Sequence, residues 1–123
     1  MTNSVILQIV YPGLPPKELS PNARVHWSRK HAVGIDVQND IVLLLLEQGW
    51  SKPPLERAVV RFKLGLPDKR RRDMDNLIAS CKPLLDALSG RVIVDDRIGL
   101  IEVEYSWFES PGQPQVIIEI EER

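Results

Sequence analysis

The chain has only one cysteine, two histidines and 6% aromatic residues among its 123 positions. A single cysteine cannot form an internal disulfide, and so few Cys and His side chains argue against a zinc site. No apolar run reaches the roughly 18 to 20 residues that a membrane-spanning helix needs. The first residues also lack the basic and apolar pattern of a secretory signal. These absences predict a cytoplasmic protein that makes no membrane contact, and the length predicts a single domain over residues 1–123.

Charge is unevenly distributed along the chain. Residues 1–91 contain 14 Lys or Arg and 9 Asp or Glu, a net charge of +5, whereas residues 92–123 contain 2 and 8, a net charge of −6. The overall charge of −1 therefore conceals a basic part and an acidic part. A basic surface can attract a polyanion even when the whole molecule is nearly neutral. Ordinary solvated charge produces the same split, so charge alone leaves nucleic-acid binding open.

Hydrophobic periodicity predicts four strands and two helices. Along the chain these are a strand at 5–10, a helix from about 28 to 49, a strand at 58–66, a helix from about 75 to 88, and strands around 98–107 and 115–121. The order β-α-β-α-β-β predicts an α+β fold in which helices pack on a mixed β-sheet. A Ser-Pro-Gly turn at 110–112 predicts that the last two strands form a hairpin.

Two of these elements have faces that bear on function. The strand at 58–66 alternates apolar residues with Arg61 and Lys63, which predicts one apolar face and one largely basic face. The helix predicted from about 28 to 49 is apolar on almost all sides at residues 41–46. Such a helix is expected to be covered on more than one side, by the sheet or by a second subunit.

A basic run leads directly into a pair of acids between the second strand and the second helix. Lys69-Arg70-Arg71-Arg72 precedes Asp73 and Asp75, and Asp95-Asp96 follows that helix. At about 100° per residue, Asp75, Lys82 and Asp86 share one helix face opposite the leucines. Asp73 and Asp75 equally suit a helix start, where Asp caps free N–H groups. The pair alone therefore fits either a helix cap or a metal site.

Electrostatics favour a metal if the acids converge. Two carboxylates about 4 Å apart repel each other by roughly 4 kcal/mol at an effective dielectric constant of about 20. A divalent cation reverses the sign of that energy. Carboxylate oxygens are the ligands that Mg²⁺ prefers, and Mn²⁺ can substitute for it.

These residues together resemble the RusA family of Holliday-junction resolvases, small homodimeric Mg²⁺-dependent endonucleases often carried by phages and prophages. The strong part of the resemblance covers residues 69–98, and a weaker part lies in Pro15-Pro16 and Ser20-Pro21-Asn22. The resemblance implies a RusA-like fold, branched DNA as the partner and a homodimer.

The resemblance also implies residue roles. It assigns the metal-binding carboxylates to Asp73, Asp75 and Asp96, with Asp95 as an alternative to Asp96. Lys82 would be the catalytic lysine. It lies seven residues after Asp75, whereas shorter members have a gap of four, and both spacings return to one helix face. The expected DNA-binding residues are Lys69, Arg70, Arg71, Arg72, Asn22 and Arg24, and the expected supporting residues are Asn76, Asp86 and Asp95.

The resulting hypothesis is that metal-activated water hydrolyses phosphodiesters and that paired nicks resolve Holliday junctions in DNA recombination and repair. A catalytically inactive relative that binds branched DNA is one alternative. A metal-dependent phosphohydrolase acting on small phosphates is another. The arginine run and the basic strand face favour a polymeric substrate over a small one.

Overall fold

The computed structural model describes residues 4–123, which form an α+β fold with a mixed four-stranded sheet. The fold class and the order of the main elements are therefore confirmed. The elements are β1 (Val5–Pro12), a 3-10 turn (Lys17–Leu19), α1 (Trp27–Glu47), β2 (Ala58–Leu66), α2 (Met74–Ser80), α3 (Lys82–Leu88), β3 (Ile101–Glu109) and β4 (Gln115–Glu122). None of the helices within residues 4–123 combines the length and the apolar character that a bilayer crossing requires.

The sheet has the order β1-β4-β2-β3, so the predicted hairpin of the last two strands is wrong. β2 lies between them, parallel to β3 and antiparallel to β4. β4 also pairs antiparallel with β1. A turn signal reports that the chain reverses direction, but it does not report which strand becomes the neighbour. The turn after β3 instead carries the chain across the end of β2.

Gly65 makes this crossing possible. The N–H of Ser110 donates to the carbonyl oxygen of Leu66, and that of Gly112 to the carbonyl oxygen of Pro67, both at 2.9 Å. A β-carbon on residue 65 would lie 2.8 Å from Phe108 Cζ and 3.1 Å from Ser110 Cβ. Carbon atoms do not approach that closely without displacement. The crossing segment can therefore lie directly against β2 only because residue 65 has no side chain.

Substituting Gly65 with Ala is expected to destabilise the protein by about 1–3 kcal/mol, the usual effect of overpacking a filled site. Gly34→Ala in α1 is the matched control, because its β-carbon would meet the nearest atoms at 3.9 Å. That substitution should be neutral or stabilising by up to about 1 kcal/mol, since Ala favours the helix. Urea unfolding curves of the two variants measure both effects. Equal midpoints would contradict the proposed role of Gly65.

The predicted helix at 75–88 is two short helices separated at Cys81. Pro83 lies at the second position of α3 and has no N–H to donate to a carbonyl in the turn before it. Leu84 and Leu85 donate instead to the carbonyl oxygen of Cys81, at 2.9 and 3.1 Å. Asp75 thus belongs to one helix, and Lys82 to the next.

The core fills the space between the helices and one face of the sheet. Among its members with 0% exposed surface are Phe62, Ile41, Leu84, Ile118 and Cys81. Burial raises the pKa of the Cys81 thiol to about 12, so the thiol is neutral at ordinary pH. Cys81 is a small core side chain and not a nucleophile.

The Cys81 thiol is expected to resist a thiol-specific reagent in the native protein at pH 8. Its raised pKa removes the reactive thiolate, and its burial blocks access. Adding urea should expose the thiol and produce rapid stoichiometric labelling, followed by absorbance. Fast labelling of the folded protein would show that the α2–α3 junction is open in solution.

Within the described residues of a single chain, one side of the apolar half of α1 is covered and the other side is exposed. Ile41 and Leu45 are buried against the core. Leu43 and Leu46 are 58% and 69% exposed. The expectation that a second subunit covers the outer side stays a prediction.

Candidate site at Lys82 and the arginine loop

Lys82 is held between two acids that come from different parts of the chain. Its Nζ lies 2.6 Å from Asp86 Oδ1, one helical turn further along α3, as the shared helix face predicts. It also lies 3.4 Å from Asp96 Oδ2, in the segment that leads to β3. We call Lys82, Asp86 and Asp96 the Lys82 cluster. The structure thus brings together three of the predicted site residues.

Lys82 stays positively charged at the surface, although the cluster as a whole holds one positive and two negative charges. The pKa of Lys82 is raised, first by its hydrogen bond with Asp86 and then, more weakly, by Asp96. The ammonium therefore stays protonated at neutral pH, and it is suited to binding or stabilising an anion and not to accepting a proton. The Lys82 side chain is 58% exposed, so an incoming phosphate can reach it.

A shallow groove of about 310 Å³ lies beside Lys82, between α1 and the α2–α3 pair. Lys30 and His31 of α1 line it together with Lys82 and Ala79. The Lys30 Nζ donates to the carbonyl oxygen of Ser20 at 3.2 Å. Lys30 and His31 follow Arg29 in the sequence, but nothing in the sequence connects them with Lys82, because that link depends on how α1 packs against α3.

Asp73 is the N-cap of α2. Its Oδ1 accepts hydrogen bonds from the backbone N–H groups of Asp75 and Asn76, at 2.9 and 3.3 Å. The capping interpretation is therefore correct for Asp73. The exposed Asp75 side chain forms no hydrogen bond or ion pair within residues 4–123. The carbonyl oxygen of Asn76 accepts from Ser80 Oγ at 2.7 Å, which is a helix contact.

The predicted metal ligands do not form a group. Within the described residues, no three His, Cys, Asp or Glu side chains lie together in a way that could hold a metal ion. The exposed carboxylates are the right type of donor for Mg²⁺, but their arrangement does not fit a three-carboxylate site. Asp96 is paired with Lys82 instead. Asp95 accepts from the backbone N–H of Arg97 at 2.9 Å and lies 3.5 Å from its guanidinium, so Asp96 and not Asp95 faces Lys82.

The arginine loop, residues 67–73, separates its basic side chains into two groups. Arg72 is 12% exposed and pairs with Asp68 at 2.9 Å, while donating to the carbonyl oxygens of Asp68 and Arg70. The backbone N–H of Arg70, and next the Arg72 side chain, lower the pKa of Asp68. Arg72 therefore shapes the loop. Lys69, Arg70 and Arg71 are exposed and form no ion pair with any described residue.

Asn22 and Arg24 lie exposed between the 3-10 turn and α1. The Asn22 N–H donates to Ser20 Oγ at 3.3 Å. Leu19, at the end of the 3-10 turn, lines the groove that contains Lys82. This segment therefore begins at the edge of that groove.

The basic residues predicted on one face of β2 are paired with glutamates of the neighbouring strands. Arg61 lies 2.9 Å from Glu104 on β3 and 3.5 Å from Glu121 on β4. Lys63 lies 2.8 Å from Glu119 on β4. Because β2 is flanked by both strands, their glutamates neutralise its cations. Among the described residues, cations without an ion pair include Lys69, Arg70 and Arg71 in the arginine loop and Lys30 in the groove beside Lys82.

No family model matches the chain. A protein of Xylella fastidiosa (strain Temecula1 / ATCC 700964) with the name "Uncharacterized protein" is 34% identical over 86 residues. That match covers 68% of this chain and 56% of the Xylella protein, so the chain spans a little over half the length of this relative. The similarity carries no functional name.

Proposed function

We propose that this protein is a RusA-like, structure-selective endodeoxyribonuclease that hydrolyses phosphodiester bonds and resolves Holliday junctions in recombination or repair. The observation that carries the proposal is the Lys82 cluster. It holds an exposed ammonium between two acids, next to a groove lined by Lys30 and His31. The cluster itself carries one positive and two negative charges, so binding of an anionic phosphate there also requires Lys30, which forms no ion pair within the described residues, and the arginine loop.

In this proposal, one group of residues binds the DNA and another stabilises the charge that develops during hydrolysis. Lys69, Arg70 and Arg71 bind backbone phosphates, which gives affinity without base selectivity. The Lys82 ammonium stabilises the negative charge that develops on the phosphoryl oxygens or on the leaving oxygen. Asp86 and Asp96 fix the position of that ammonium.

Mg²⁺, or Mn²⁺ in its place, is the proposed cofactor, and Asp73, Asp75 and Asp96 would have to come together from their separate positions to hold it. When bound, it would supply an activated water and charge neutralisation. Because these acids are not grouped in the structure, the Mg²⁺ requirement needs a direct test.

A homodimer suits this substrate, since a four-way junction has approximate two-fold symmetry and two sites can make paired nicks. The exposed Leu43 and Leu46 on α1 support the proposed dimer, because they give α1 an apolar outer side that a second copy could cover.

A second candidate is a non-catalytic protein that binds branched DNA. The helix cap formed by Asp73 favours it, because that acid has a complete structural role without a metal. The phosphate-binding residues would be the same in both cases.

The deciding experiment incubates the protein with a mobile four-way junction, a flap and plain duplex, each with and without Mg²⁺. Symmetric nicks in the junction alone, dependent on Mg²⁺, would support the nuclease. Junction binding with no nicks in Mg²⁺ or Mn²⁺ would support the non-catalytic candidate. Turnover of mononucleotides without cleavage of any DNA would overturn both and favour a small-molecule phosphohydrolase.

A further inference from the structure

Trp107 occupies a core-facing position of β3 but is not covered. In the parallel register it lies opposite Leu64, which has 0% exposure. Two residues earlier on the same face, Tyr105 stacks on Phe62 with ring centroids 5.4 Å apart. Trp107 continues this row, yet it is 56% exposed. An indole face is therefore available on the helix side of the sheet.

The exposed indole is one wall of a cleft of about 500 Å³, which we call the Trp107 cleft. Leu66 lies at the end of β2, and Met74 and Leu77 of α2 form apolar walls. This volume falls within the range of about 300–1,000 Å³ that is typical of small-molecule sites. α2 separates this cleft from the groove beside Lys82, because Met74 and Leu77 line one and Ala79 lines the other.

The polar lining of the cleft comes mainly from the arginine loop. Lys69 and Arg70 line it and are exposed without an ion pair among the described residues. Arg72 and Asp68 also line it but are paired with each other, so they add little net charge. Glu109, at the end of β3, contributes a carboxylate that can accept hydrogen bonds.

The geometry points to an unpaired nucleobase of DNA as the ligand of the Trp107 cleft. A base is flat and apolar on its faces, which suits stacking on the indole between apolar walls. Its phosphate is anionic, which suits Lys69 and Arg70 at the rim. Its N–H groups suit the Glu109 carboxylate. The inference rests on the proposed function, because a strand-exchange point or an opened junction is where a nuclease would meet an unstacked base.

The test measures binding in EDTA, so that cleavage cannot contribute. The probe is a single-stranded hexanucleotide of thymidines with one central 2-aminopurine, whose fluorescence falls on stacking. The native protein should quench it. Trp107→Ala should weaken binding about tenfold and abolish the quenching, because base stacking on an aromatic side chain is a major contribution to affinity. Trp107→Leu keeps apolar bulk and should also fail to quench.

Trp27→Ala is the matched control, since Trp27 is 75% exposed and lies at the start of α1. It should bind and quench as the native protein does. A fully paired duplex with the same probe should not be quenched. Native-like quenching by both Trp107 variants, or no quenching by the native protein, would overturn the inference.

A junction-cleavage assay with Mg²⁺ keeps the two proposals distinguishable. Cleavage by a native protein that does not quench the probe would overturn the inference of base binding in the Trp107 cleft, while the nuclease proposal would still hold. Quenching that depends on Trp107, without any cleavage, would support the base-binding cleft and overturn the nuclease.

Discussion

Asp75→Asn is expected to lower the rate of Mg²⁺-dependent junction cleavage by about 100-fold or more, the usual effect of removing one essential charged group from a site. The substitution keeps the shape of the side chain and removes its charge. Asp75 is proposed as a metal-binding residue, and its carboxylate makes no contact with the described part of the chain. The free energy of unfolding should therefore change by less than about 1 kcal/mol, the limit set by a charge near a helix start.

Asp36→Asn is a matched control, because Asp36 is an exposed acid on α1 that does not line the groove beside Lys82. Its cleavage rate should equal that of the native protein. Single-turnover rates on a mobile four-way junction measure both variants. A native rate for Asp75→Asn would remove Asp75 from the site.

Lys82→Met should lower the cleavage rate by about 100- to 1,000-fold, because it deletes the charge proposed to stabilise the transition state. The unfolding free energy should fall by no more than about 1 kcal/mol, since exposed ion pairs contribute little stability. Lys82→Arg keeps the charge but changes its geometry, and an intermediate rate is expected. Lys52→Met, at another exposed lysine, is the control and should cleave normally.

The pKa of Lys82 also predicts how the cleavage activity depends on pH. Its pKa is raised above the ordinary value of 10.5, so Lys82 is fully protonated well below that pH. It loses its proton only as the pH rises through the folded-state pKa. Titration of Lys82 should therefore cause no loss of activity between pH 7 and pH 9. A rate for Lys82→Met equal to the native rate across that range would exclude this lysine from the chemistry.

The sequence predicted the elements better than their arrangement. The strand at 58–66 was placed correctly because apolar and polar residues alternate along it, a pattern set by neighbouring positions. The hairpin was wrong because strand order depends on contacts far apart in the chain. The same limit applies to Arg61, whose glutamate partners on β3 and β4 become visible only when those strands lie on either side of β2.

In the candidate site, too, contacts between neighbouring residues could be predicted and contacts between distant segments could not. The contact of Lys82 with Asp86 follows from helical spacing. The contact with Asp96 depends on the path of the chain after α3, which local patterns do not specify. The cap at Asp73 is a local feature and could be predicted, but as one of two alternatives. Alternation places Trp107 on the inner face of β3 but does not show whether a helix covers that end of the strand.

β4 follows the other three strands in the chain and yet lies inside the sheet, between β1 and β2. During synthesis, β1 therefore has no neighbouring strand until residues 115–122 have left the ribosome. The βαβ unit of β2, α2, α3 and β3 is complete earlier and can form first. A nascent chain stalled before residue 115 would leave both edges of β1 and one edge of β2 unpaired, and the arrival of β4 covers one edge of each strand against pairing with another chain.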